Sequence, residues 1–186
     1  LVYIYSLNNS NSKNDSKPIH SIDVRNLGDV EGCYAEGPDK FGFGISTSFN
    51  SSKLLIGSLK DYVHLIEFNG GISSSSVIPN PIDHDHNEHD NSDDSNTTSD
   101  YHKFGESVYV GDNNLYVAAL NYDNGKGKVF VYPFVQSSNK LNDNSWTNPY
   151  ELQPNNISDN SHFGYKFSES GNEISISTFN QKTIYN

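Results

Sequence analysis

The densest run of metal-capable side chains is DHDHNEHD, from Asp83 to Asp90, where His84, His86, Glu88 and His89 fall within six positions. Imidazoles this close together can capture zinc or copper weakly. A tight site also needs ligands held by surrounding packing, and no apolar residue occurs between Asp83 and Asp100 to hold them. The tract reads as a solvated low-complexity segment, and no metal ligand is assigned in it. The carboxylate pairs Asp83/Asp85 and Asp93/Asp94 share that segment, so they lack the fixed geometry of an acid–base couple. His20, His64, His102 and His162 are scattered; His64 falls in an apolar strand, and His102 and His162 stand just before Phe-Gly pairs. Cys33 is alone, so no disulfide closes within the chain, and it reads as a small, partly buried residue rather than a nucleophile. There is no Gly-x-Ser-x-Gly, His-Glu-x-x-His or P-loop. No catalytic, cofactor-binding or metal-binding residue is therefore nominated.

The elements that would position any site come from a repeat. Phe-Gly occurs at Phe41-Gly42, Phe104-Gly105 and Phe163-Gly164, at intervals of 104 − 41 = 63 and 163 − 104 = 59 residues. A period near sixty marks repeated supersecondary units. FGFGISTSFNSSKLLIGS, FGESVYVGDNNLYVAA and FGYKFSESGNEISIST each give a Phe-Gly, a strand, a polar turn, then a second strand. That second strand ends on a small pair, Gly57-Ser58, Ala118-Ala119 or Ser177-Thr178. A third strand follows in register, YVHLIEF (Tyr62 to Phe68) and KVFVYPF (Lys128 to Phe134). LVYIYSL (Leu1 to Leu7) has the same pattern, and TIYN (Thr183 to Asn186) falls where the next such strand begins. With no Met anywhere, the chain reads as an internal piece of a larger one. The strands are short, β-branched and aromatic, and Gly, Asn, Asp and Ser bound them. Their apolar runs are nearly continuous, as expected where both faces of a sheet are covered. The expected class is all-β, with the Gly of Phe-Gly allowing one backbone to approach another and the small pairs filling a crowded position.

This pattern resembles the FG-GAP repeat, the blade of integrin α-like β-propellers. The second copy carries it best, through Phe104-Gly105, Val108, Leu115 to Ala119, and Gly127-Lys128-Val129-Phe130-Val131-Tyr132. WTNPYELQPNNISDNSHF, from Trp146 to Phe163, is similar to the family's Trp, Leu, polar loop and next Phe-Gly. The resemblance implies a partial β-propeller of about three blades from a seven-bladed ring, spanning residues 1–186, with repeats starting near 41, 104 and 163. It also implies a non-catalytic module for protein or glycan interaction in a secreted or cell-surface protein, with neighbouring blades as intrachain partners. The alternative it implies is the accessory propeller of a glycosylphosphatidylinositol-specific phospholipase D-like hydrolase, with zinc catalysis in a preceding domain. Calcium-binding members of the family carry an acidic loop between the first two strands, since calcium needs six to eight oxygens. Here those turns are FNSSK (Phe49 to Lys53), VGDNN (Val110 to Asn114) and SESGNE (Ser168 to Glu173). They offer only Asp112, Glu169 and Glu173, and read as plain hairpin turns. The family's Pro after the small residue is also missing from all three copies.

Composition bounds the rest. The 186 residues are 33% apolar with mean hydropathy −0.67, so much of the chain is loop. Residues 8–17 and 73–100 read as low-complexity inserted loops with little to bury. A net charge of −11, from 12 Lys+Arg against 23 Asp+Glu, excludes a nucleic-acid surface and disfavours anionic lipid. No apolar stretch approaches the length of a membrane-spanning helix. Asn-x-Ser/Thr acceptors at Asn8, Asn14, Asn50, Asn96 and Asn156 permit glycosylation in a secretory compartment. The Asn-, Ser- and Thr-rich composition alone nearly accounts for their number.

Overall fold

The computed structural model describes residues 1–5, 18, 20–22, 44–47, 52–57, 62–82, 102–133 and 149–179. Twelve strands lie in this part of the chain, all paired antiparallel. The first sheet joins β1 (Val2–Ile4) to β2 (His20–Ile22). The second is a meander of β3 (Ile45–Thr47), β4 (Lys53–Gly57), β5 (Tyr62–Phe68) and β6 (Ile72–Pro79). The third is a meander of β7 (Phe104–Val110), β8 (Asn114–Ala119), β9 (Lys128–Pro133) and β10 (Tyr150–Leu152). The fourth is the hairpin of β11 (Phe167–Ser170) and β12 (Glu173–Ile176). Among the described residues one short helical turn, α1 (Tyr122–Gly125), has Asp123 and Asn124 in left-handed conformation and serves as the β8–β9 connection. The protein is all-β.

Period-two alternation sends each strand's side chains to two faces, and here both faces of the central sheets are covered. Leu55, Val63, Leu65 and Ile78 of the second sheet pack on Phe104, Val108, Leu115, Val117, Phe130 and Tyr132 of the third. The alternate residues Leu54, Ile56 and Ile66 turn the other way, onto Val2 and Ile22 of the first sheet. Tyr116, Ala118, Val129 and Val131 face Phe163, Phe167, Ile174 and Ile176 in and beside the fourth. The sheets thus stack in chain order, which is why β5 and β9 read as nearly continuous apolar runs.

The Phe-Gly pair is the fastener between sheets. Phe104 is fully buried in the interface with the preceding sheet, edge-on to Phe130 at 5.8 Å between ring centroids. Phe163 takes the corresponding place between the third and fourth sheets, and Phe41 lies outside the described residues. The backbone repeats too. The residue before Phe is left-handed in both copies, Lys103 at φ 54° and His162 at φ 48°, and so is the Gly after it, Gly105 at φ 87° and Gly164 at φ 100°. These conformations bulge the strand, so β7 loses register between Phe104 and Ser107. In the next copy the Gly164 and Tyr165 N–H groups both donate to the Ser177 carbonyl at 3.1 Å. The bulge pushes the glycine onto the small residue of the preceding sheet. A Cβ on Gly57 would fall onto the Gly105 carbonyl, and one on Gly164 would lie 2.6 Å from the Ala118 Cβ.

One difference from the sequence reading concerns residues 73–100, expected as a polar insert. Residues 73–79 belong to β6, an edge strand whose consecutive serines, Ser73 to Ser76, are alternately exposed and half-buried and whose backbone pairs with β5 from Tyr62↔Pro79 to Phe68↔Ile72. Pairing with an apolar neighbour supplies what the Ser-rich composition lacks. Residues 83–100 and the insert at 8–17 lie outside the described residues.

Gly57→Ala should lower the unfolding free energy by about 1–3 kcal/mol, because the new methyl meets fixed backbone rather than a mobile side chain. Gly71→Ala, with nothing within 4 Å of the new Cβ, should stay within about 0.5 kcal/mol of wild type. Urea denaturation of the two variants tests the fastener, and equal stabilities would contradict it.

Candidate functional site

The meander topology places the turns between first and second strands at one end of each sheet, and those between second and third at the other. At the first end, Asp112 is exposed and its backbone N–H donates to Glu169 Oε2 at 3.0 Å. Glu169 projects from β11 toward the third sheet, where its carboxylate lies against Gly111. It fastens one hairpin turn to the next strand and does not point into a loop of its own. Lys53, at the end of the FNSSK turn, pairs with Glu67 at 3.3 Å. The acidic side chains of these turns are therefore dispersed over two sheets, with Glu173 exposed at the start of β12. Among the described residues no three His, Cys, Asp or Glu side chains gather as a metal site. The His tract 83–90 and Cys33 lie outside the described residues.

The second end is built from α1 and the segment that leads into Phe163. Asn160, His162 and Phe163 donate their N–H groups to the carbonyls of Asn124, Gly125 and Lys126 at 3.0, 2.8 and 2.8 Å. His162 Nδ1 lies 3.0 Å from the Leu120 carbonyl, and the His102 ring packs on Tyr122 at 5.8 Å. His162 thus belongs to the joint between the third and fourth sheets, and His102 packs on the third sheet's own connection. On this strapped surface Lys126 reaches Asp123 at 2.8 Å and Asp159 at 3.8 Å. Beneath it the buried Lys128 ammonium lies 4.0 Å from the Tyr122 ring centroid and bonds Glu151 Oε2 at 2.8 Å. Burial opposes the Lys128 charge, but hydrogen bonding to Glu151 and Tyr122 outweighs it and holds the group above its ordinary pKa. The sequence carried a signal for this cluster: Lys128 stands where the other copy has Tyr62, and a cation at a covered position requires a partner.

His64 occupies the position that Phe130 takes in the third sheet. It is 1% exposed and edge-on to Tyr62 at 5.2 Å. Burial pushes its imidazole from 6.5 down to about 4. Such a ring, deep between two sheets and neutral at physiological pH, is a packing residue rather than a proton-transfer group.

No protein-family model matches the chain, and no curated protein or solved structure matches it significantly.

Because His64 titrates lower in the folded state, the unfolded chain takes up a proton between pH 6.5 and 4 that the folded chain refuses. Stability should therefore fall on acidification through this window, by about 2 kcal/mol between pH 7 and 5. His64→Phe should remove that part of the loss, as read from urea midpoints at the two pH values. An unchanged acid limb would show that His64 is not its source.

Proposed function

We propose that the stacked sheets are blades of an FG-GAP-type β-propeller and that the module is a non-catalytic scaffold for binding a protein or glycan outside the cell. The observation that carries this reading is the recurrence of left-handed residue, Phe, left-handed Gly at the same joint of two successive sheets. The joint packs the third sheet on the second and the fourth on the third. The strapped end formed by Tyr122–Gly127 and residues 159–163 is the candidate presenting surface. Its backbone is fixed by hydrogen bonds while Asp123, Asn124, Asp159 and Asn160 remain exposed. Rigid loops on a packed frame bind with little ordering cost. Among the described residues no helix is long and apolar enough to cross a membrane.

A second reading, an accessory propeller of a glycosylphosphatidylinositol-specific phospholipase D-like hydrolase, is favoured by the engagement of Glu169 with the neighbouring turn. An adhesion module that depends on calcium would leave such carboxylates for the ion. In an extracellular setting Asn156, exposed on the connection between β10 and β11, would be open to glycosylation.

Three outcomes are expected. Millimolar calcium should leave the melting temperature unchanged, and stabilisation by calcium would favour an ion-dependent adhesion module instead. Expressed through a secretory pathway, the chain should carry a glycosidase-sensitive glycan that Asn156→Gln removes; an unmodified Asn156 in secreted material would argue against this setting. On a panel of glycans and extracellular proteins, the folded chain should show saturable, chelator-insensitive binding that charge reversal at Asp123 and Asp159 weakens. No binding anywhere on the panel would contradict the scaffold reading.

A further inference from the structure

Two Asn-Gly pairs occur in the chain, Asn69-Gly70 and Asn124-Gly125, and each lies in the connection between two paired strands. An Asn side chain before Gly is open to attack by the next backbone nitrogen, because Gly has no Cβ to obstruct the approach and turns freely. The fold treats the two pairs differently. Asn69 and Gly70 are both exposed at the turn between β5 and β6. Gly70 is left-handed at φ 72°, and nothing lies within 4 Å of where its Cβ would be. The Asn69 N–H closes this turn by donating to the Gly71 carbonyl at 2.9 Å, which leaves the Gly70 N–H outside the hydrogen bonding of the described residues. Asn124 is exposed too, but Gly125 is buried. The Gly125 N–H donates to the Asn121 carbonyl at 3.2 Å, and the Asn124 and Gly125 carbonyls accept from Asn160 and His162 at 3.0 and 2.8 Å. Asn124 is thereby held at φ 56°, ψ 36°. A Cβ on Gly125 would lie 3.1 Å from Asn160 Oδ1 and 3.2 Å from His162 Cε1.

We propose that Asn69 is a site of spontaneous deamidation in the folded protein, and that the strap of residues 160–163 protects Asn124 from the same reaction. The co-reactant is water. The Gly70 nitrogen gives up its proton to solvent base and attacks Asn69 Cγ. The new C–N bond closes a succinimide, the Cγ–Nδ2 bond breaks, and Nδ2 leaves as ammonia. Water then opens the ring at either carbonyl, giving aspartate or isoaspartate with no change of oxidation state. Closing the ring takes rotation of the Asn backbone and an unengaged nitrogen. At Asn69 both residues of the pair stand in solvent. At Asn124 the rotation breaks the bonds to Asn121 and Asn160, so the reaction waits on local opening of the strap. The product is tolerated at the first turn, where the β5–β6 register already shifts between Glu67 and Phe68 and the space beside Gly70 and Gly71 is open. At the second it would set a further carboxylate next to Asp123.

The test is to age the folded 186-residue chain in mildly alkaline buffer and map its peptides by mass spectrometry, with a fragmentation that separates isoaspartate from aspartate. The Asn69 peptide should convert at least roughly tenfold faster than the Asn124 peptide, because only the second pair must open first. In concentrated urea that protection is gone, and the two rates should agree within roughly threefold. Asn69→Gln, whose longer side chain must close a larger ring, should lose the isoaspartate signal from the β5–β6 turn. An Asn69 that stays an amide in the folded chain while the unfolded chain converts would overturn the proposal. So would an Asn124 that converts as fast as Asn69 in the folded chain.

Discussion

The stack depends on one steric fact, the contact of backbone on backbone where the glycine of Phe-Gly meets the small residue ending the second strand of the preceding sheet. At Gly57 there is no room for even a methyl beside the Gly105 carbonyl, and Ala118 against Gly164 leaves space for only one. Sheets ordinarily sit about 10 Å apart face to face, held off by their side chains. Removing side chains at a single point lets the two sheets converge there. The Phe next to the glycine fills the widening gap, with Phe104 reaching Phe130 and Phe163 lying among Ala118, Val129 and Val131. The left-handed residues on either side of Phe are the backbone's means of making that contact, since only a bulge brings the glycine forward and the phenyl ring inward together.

Covering both faces in this way sets what the interior tolerates. Its polar groups are admitted on narrow terms: His64 as a neutral ring beside Tyr62, and Lys128 as a cation with Glu151 and Tyr122 at hand. The same geometry makes the α1 loop stiff, because it is tied to the segment that enters Phe163-Gly164. A binding surface there would inherit the rigidity of the joint.

Strand positions were legible because the driving pattern is local and repeated. β4, β5, β7, β8 and β9 fall where apolar runs and polar turns place them, and the small pair at Ala118-Ala119 lies at a crowded joint as its size suggests. The fourth strands were not legible. β6 is rich in serine and exists because β5 offers it a paired edge, a fact of tertiary pairing that no window of sequence contains. The Glu169 contact with the Gly111–Asp112 turn was hidden for the same reason, since its partners lie 57 residues apart. The Lys128–Glu151 pair joins neighbouring strands across a long connection and is equally remote. Function was the least legible, because repeats of this kind specify a frame, and a frame carries many activities.

The most direct measurement is a nuclear Overhauser experiment on the isotopically labelled chain at the two joints. Contact between Gly57 and Gly105, and between the Ala118 methyl and Gly164, should appear as strong cross-peaks alongside those that pair Leu55 with Leu65 inside the second sheet. Intrasheet cross-peaks without either intersheet pair would mean that the strands form but the sheets do not stack through Phe-Gly, contradicting the account.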